Sequence, residues 1–266
     1  MALNLLLIYI LLGCLASFLS GLLGIGGGLL VVPALFFIFT HFQIIPTPQL
    51  MHVVIGTSLA TSIINLLFSV RAHQNQGAVC WPVFAAMSPG VIIGALLLGP
   101  SIMKITPGDI LKIIFGLFCL ISAAQIIFRK KNIITQENLP NKTSMFLLGL
   151  GTGSISTLLG IAGGMITGTI LHYCHMDMRK IVGTSSAICL VLAISGTIGM
   201  MVIGYHQAGL PKWTTGFIYW PAFLGITLPS LFITALGANL AHKLPVNILK
   251  NIFAILVFMI GLKMLL

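Results

Sequence analysis

Runs of about twenty residues with almost no charged side chain follow one another along nearly the whole chain. Leu50–Val70, Ala78–Leu98, Ile181–Tyr205 and Gly216–Leu240 carry no Asp, Glu, Lys or Arg at all, and Ile110–Phe128 and Ile248–Leu266 carry only lysines. About twenty apolar residues in a helix cross the hydrocarbon core of a bilayer. Backbone placed in lipid must satisfy its own hydrogen bonds, so only helices or closed barrels qualify. Barrel strands would alternate apolar and polar positions over about ten residues, and these runs do not alternate. The fold class that follows is an all-α polytopic integral membrane protein. Only 6% of the 266 residues are charged, against about 25% for a soluble chain.

The few charges are unbalanced, 13 Lys+Arg against 3 Asp+Glu. Nucleic-acid binding needs such residues on a solvated domain, and no segment is long enough to form one. Lys and Arg that hold loops on the cytoplasmic side are the simpler cause. Cys14, Cys80, Cys119, Cys174 and Cys189 form no CxxC pair and read as small packing residues. Leu11-Leu12-Gly13-Cys14 resembles a lipobox, but no positive charge precedes it.

The chain repeats itself. Gly24-Ile25-Gly26-Gly27-Gly28 returns as Gly160-Ile161-Ala162-Gly163-Gly164, and Gly56-Thr57-Ser58 returns as Gly183-Thr184-Ser185. Trp81-Pro82 returns as Trp220-Pro221, and Pro107–Phe115 as Pro245–Phe253, all in the same order. This divides the chain into a first membrane repeat at 1–128, a polar linker at 129–142 and a second repeat at 143–266.

The first segment of each repeat, Leu3–Ile45 and Met145–Tyr173, is too long for one crossing and is broken by glycines. If each broken segment crosses once, there are eight spans and the basic residues divide evenly between the two sides. If each crosses twice or turns back as a hairpin, there are five elements per repeat. Arg71, Arg129, Lys130, Lys131, Lys142, Arg179, Lys180, Lys243 and Lys250 then share one side, and Lys104, Lys112, Lys212 and Lys263 the other. The second division obeys the positive-inside rule. It places the linker in the cytoplasm and, with an odd count per repeat, inverts the two halves.

The glycine breaks are the first candidate site. Glycine costs about 1 kcal/mol against alanine inside a helix, and broken backbone is tolerated only under protein or beside a watery cavity. Free N–H groups at a half-helix start suit an anion, which singles out Gly26, Gly27, Gly28, Gly163 and Gly164. Gly24 and Gly28 also fit a GxxxG packing contact. Gly56, Thr57, Ser58, Gly183, Thr184 and Ser185 form a second pair, read here as opening a helix after a loop. Their hydroxyls can meet a solute's oxygens or bond within the bundle. His73 and His206 close the next helix of each repeat, where imidazole can carry a proton or contact a substrate, or simply sit at headgroup level. His172-x-x-His175 with Cys174 and Asp177 has metal-like spacing but no counterpart in the first repeat, so no metal is expected. Lys112 and Lys250 are repeat partners that snorkel to the interface.

Asp109, Glu137 and Asp177 are the only acids, and all fall at loops or helix ends. Carriers of cations and proton-coupled pumps typically bury carboxylates in the membrane, so a neutral or anionic solute is favoured. No nucleophile–base–acid set and no P-loop is present. The chain is expected to be no enzyme and to use no cofactor.

On GLLGIGGGLLVVP (Gly21–Pro33), GTSLA (Gly56–Ala60), GIAGG (Gly160–Gly164) and VGTSS (Val182–Ser186), the chain resembles the sulfite exporter TauE/SafE family. The resemblance covers essentially all of it. It implies a membrane transporter that exports or exchanges sulfite or related sulfur-containing anions such as sulfonates, in a bacterial inner membrane. The second repeat departs from the motif at Ala162 and lacks a match to Pro33, so one half-site is expected to bind differently. The leading expectation is a secondary transporter working by alternating access, with no nucleic-acid partner. The alternatives are a transporter of an unrelated small anion, a channel, or a membrane partner or assembly subunit without transport.

Overall fold

A computed structural model describes residues 2–23, 27–128, 139–207, 209–241 and 246–265. Gly26, Lys243 and most of the linker lie outside the described residues, as does the side chain of Lys250. The elements are α1 (Ala2–Leu23), α2 (Gly28–His41), α3 (Thr47–Asn75), α4 (Trp81–Ile105), α5 (Gly108–Phe128), α6 (Lys142–Leu159), α7 (Gly164–Tyr173) and α8 (Met178–Gly204). A two-residue hairpin, β1 (Thr214–Thr215) and β2 (Ile218–Tyr219), precedes α9 (Trp220–Ala241) and α10 (Val246–Leu265). Among the described residues α3, α4, α5 and α8 are each long and apolar enough to cross a membrane.

Local chemistry sets the helix starts. Pro48, Pro82 and Pro221 sit in first turns, where the missing N–H costs nothing. Asn141 caps α6, its side chain accepting from the Ser144 N–H at 2.9 Å. One expectation is corrected here. The GTS triplets do not open their helices, because α3 already begins at Thr47 and α8 at Met178. Pro46 and Pro48 start α3 two turns before Gly56, so each triplet lies inside a helix.

Large apolar side chains such as Leu7, Leu11, Leu15, Leu117, Ile121 and Phe258 are exposed, in stripes at helical spacing. In water such a surface would aggregate; in a bilayer it faces acyl chains. Trp81 and Tyr173 at one end and Tyr205 and Trp213 at the other are exposed too, as in aromatic interface belts.

α3 and α8 occupy the middle, and they run antiparallel. Leu59 packs on Gly196 near one end of the contact, and Ser69 Oγ donates to Ser186 Oγ at 3.2 Å near the other. Around them α1 lies along α9, α4 along α6 and α5 along α10. α4 and α6 are parallel, with Gly90 facing Phe146 and Gly99 facing Thr157. We call the face where α3 begins the near face and the face where it ends the far face. α4, α6 and α8 all start at the far face. α7 ends at Tyr173, a short turn before α8, so α6 and α7 enter from the far face and turn back at the glycine break. At the near face α2 ends at His41, six residues before α3 begins.

Candidate functional site

The second break is a turn that only glycine makes without strain. Gly160 has φ +66° and Gly163 φ +80°, the left-handed region in which a Cβ clashes with its own backbone. Between them Ile161 and Ala162 are buried. α7 then starts at Gly164, and its first internal bond runs from Thr167 N–H to the Gly163 carbonyl at 2.9 Å. The N–H groups before Thr167 have no carbonyl within the helix to bond, and they carry the positive end of its dipole.

The two breaks meet in the interior. A methyl group at Gly28 would stand 3.0 Å from the Gly160 carbonyl oxygen and 3.4 Å from Ser58 Oγ. Ser58 Oγ in turn donates to that carbonyl at 2.9 Å. Gly27 faces the Asn65 side-chain amide at 3.6 Å, and Gly163 faces Ser156 Oγ and Leu192 Cδ1, each at 2.9 Å, the distances taken from where a Cβ would be. α3 therefore lays a buried polar line, Ser58, Thr61, Ser62 and Asn65, beside both breaks. Thr61 and Ser62 both donate to the Ser58 carbonyl, at 2.8 and 2.9 Å.

Sequence reasoning missed Asn65, Ser156 and Ser17. The hydroxyls of Ser17 and Ser156 are fully buried and, among the described residues, without a hydrogen-bond partner. Such groups are rare in native structures and mark an absent partner such as a water, ion or ligand. Ser156 stands where that partner would lie against the start of α7. In sequence it is one more serine in an apolar helix, and the only available sign was its spacing ahead of the Gly160 break.

Each GTS triplet serves a joint with the opposite half. The Phe217 carbonyl lies on Gly56, where a methyl would be 2.5 Å from its oxygen, and the Ala78 carbonyl lies on Gly183 at the same 2.5 Å. Thr57 Oγ1 accepts from the Tyr219 N–H at 3.0 Å, and Thr184 Oγ1 accepts from the Cys80 N–H at 2.9 Å. Tyr219 and Cys80 immediately precede Trp220-Pro221 and Trp81-Pro82. One joint ties α3 to the near-face start of α9, and the other ties α8 to the far-face start of α4. Ser185 Oγ donates within its own helix, to the Val182 carbonyl at 3.1 Å. We expect Gly56→Ala or Gly183→Ala to destabilise the protein by about 1–3 kcal/mol, the usual cost of overpacking. A thermal-shift assay in detergent would read this.

His73 lies in the last turn of α3, and His206 is exposed after α8. They sit at opposite faces, away from the breaks. Among the described residues no group of three His, Cys, Asp or Glu could hold a metal. A cavity of about 650 Å³ opens at the near face between the end of α2 and the starts of α3 and α5. Asp109 and Lys112 line it, with Lys112 Nζ 5.9 Å from the Phe36 ring centre. Its floor includes Phe39, whose ring meets Tyr219 edge-on with centres 5.6 Å apart. The near-face joint lies just beneath.

The family model of the sulfite exporter TauE/SafE matches residues 9–264. A probable membrane transporter protein of Haemophilus influenzae is 32% identical over 258 residues, 97% of each chain. One from Methanocaldococcus jannaschii is 29% identical over 263 residues, covering 97% of this chain and 94% of its own. The probable membrane transporter protein MamO of Magnetospirillum gryphiswaldense is 26% identical and aligns through 42% of its length. No solved structure matches.

Proposed function

The chain belongs to the sulfite exporter TauE/SafE family, a multi-pass membrane transporter, and from that premise we propose that it exports sulfite or a related small sulfur-containing anion by alternating access. The substrate would sit where the two breaks meet, held by backbone at Gly27, Gly28, Gly163 and Gly164 and by the side chains of Ser58, Asn65 and Ser156. The helix starts supply N–H groups and positive dipole ends, which favour an oxyanion without a buried cation. One observation carries the reading: the Ser156 hydroxyl, fully buried beside Gly163 and without a partner among the described residues.

Alternating access needs two halves that exchange roles. The repeated motifs, the antiparallel α3 and α8 and the crossed pairing of α1 with α9 and α4 with α6 support an inverted repeat. Gly56, Thr57, Gly183 and Thr184 then act in the joints rather than as direct ligands, with Ser185 counterpart to Ser58. Arg71, Lys142, Arg179 and Lys180 lie at far-face helix ends, which supports a cytoplasmic far face and linker in a bacterial inner membrane. His73 and His206 would meet solute only at the two mouths.

The test is uptake of radiolabelled sulfite into proteoliposomes, with sulfate, thiosulfate, taurine and sulfoacetate as competitors. Saturable uptake with ranked competition is expected. Ser156→Ala should weaken apparent affinity about tenfold or more, since a hydrogen bond to a charged group contributes about 1.5–3 kcal/mol and 1.4 kcal/mol is tenfold. Unchanged affinity in Ser156→Ala would remove the break from the substrate site.

A further inference from the structure

His52 is buried in α3, one turn before Gly56, inside a run that otherwise offers no ionisable group. Its Nε2 lies 3.1 Å from the Met103 carbonyl. That carbonyl belongs to the last turn of α4, where it also accepts from the Thr106 N–H at 3.1 Å and the dipole is negative. A carbonyl only accepts, so Nε2 carries the hydrogen and Nδ1 holds the lone pair. Among the described residues the buried Nδ1 has no hydrogen-bond partner, and the backbone of Pro48 and Thr106 also faces the ring. The carbonyl oxygens at this helix C-terminus favour an imidazolium, against the cost of burying its charge.

The imidazole borders a cavity of about 300 Å³ at the near face, lined also by Gln49, Lys104, Thr106, Gln207 and Phe217. Phe217 stacks against it with ring centres 5.2 Å apart, and the same residue's carbonyl presses on Gly56. The ring thus touches the residue just before the strand that Thr57 holds through Tyr219. At the other joint the repeat places Met178-Arg179 where the first half has Met51-His52, each pair leading into its GTS motif. One joint therefore has a permanent cation four residues before its glycine, and the other a group whose charge can change.

We propose that His52 is the proton-binding group of this transporter, taking up one proton from near-face water at Nδ1 and thereby biasing the joint between α3 and the β2–α9 corner. It rests on the carrier function proposed above. The proton adds to the Nδ1 lone pair, leaving a water-borne donor, and the site gains one positive charge. The charged or titratable groups around it are Lys104 of α4 in the same cavity, Asp109 and Lys112 of α5 in the adjoining one, and His206 beside Gln207. α8 contributes only Ile203 to this cavity.

Proteoliposomes loaded with a pH-sensitive dye would be tested with sulfite over about pH 5–8, the range in which imidazole titrates. Wild type should move protons with sulfite and show a pH-dependent rate. His52→Gln and His52→Arg should keep sulfite counterflow while sulfite-linked proton movement falls at least tenfold and the pH profile flattens. Wild-type proton movement and pH profile in His52→Gln would overturn the proposal. Sulfite's own ionisation is common to all three proteins and cancels in the comparison. Independently, the His52 ring resonance of histidine-labelled wild type in nanodiscs should titrate in this range, and one that does not titrate also overturns it. Its assignment comes from loss in His52→Gln, or from the altered ring-current shift in Phe217→Leu if that variant fails to insert. If wild type carries no sulfite, the substrate assignment fails while the ring titration still decides the proton site.

Discussion

Gly160→Ala should lower the thermal midpoint of the detergent-solubilised protein by about 5–15 °C and remove transport with it. Two costs act together. The residue sits at φ +66°, where an alanine costs about 1–2 kcal/mol. Its methyl would also stand 2.9 Å from Ile55 Cα and 3.1 Å from both Ile55 Cγ1 and Val32 Cγ2, adding about 1–3 kcal/mol of overpacking. For a chain of this size each kcal/mol shifts the midpoint by about 2–4 °C. The control is Gly151→Ala within α6, the helix that Gly160 ends, where a methyl meets nothing within 4 Å. Equal midpoints for the two variants would mean that the second break is not held against α3.

Thr57→Val and Thr184→Val should have opposite effects on access to the site. Each keeps side-chain volume but takes the acceptor from a backbone N–H, of Tyr219 or of Cys80. An unsatisfied donor of this kind costs about 1–3 kcal/mol, so the joint opens by about fivefold or more in population. The readout is Ser58→Cys, in a background without the five native cysteines, exposed to a membrane-impermeant thiol reagent. Thr57→Val should speed labelling from the near face, and Thr184→Val from the far face. Faster labelling from one face only, whichever threonine is changed, would leave the joints without a gating role.

The helices were legible because a bilayer permits little else for uncharged runs of this length. The motif repeat was legible because its residues are chemically unusual inside apolar sequence: consecutive glycines, a GTS triplet, a Trp-Pro pair. The partners of those motifs were not. Thr57 finds Tyr219 across 162 positions, and nothing in the local sequence distinguishes that bond from the common return of a threonine hydroxyl to its own helix. Ser156 and Asn65 were passed over because a single polar residue in an apolar helix is ordinarily satisfied within the bundle, and His52 for the same reason. Charge counting favoured a second crossing or a hairpin at each break over a single crossing because it sums over the whole chain, where pattern reading of short glycine-broken pieces was ambiguous.

The way the halves share their joints also constrains how the protein is made. Synthesis delivers α1 to α5 first, yet Gly56 and Thr57 close on residues 217–219, and Gly13 of α1 packs on Ile226 of α9. Until α9 has been inserted, the first half stands in the membrane with an open seam along α1 and α3 and an unclosed joint. Assembly must therefore finish late and in one concerted docking, with the first half held by the insertion machinery or by lipid until its counterpart arrives. A chain cut within the linker should still assemble when both pieces are made together, whereas either piece alone keeps its seam exposed and is a substrate for membrane quality control.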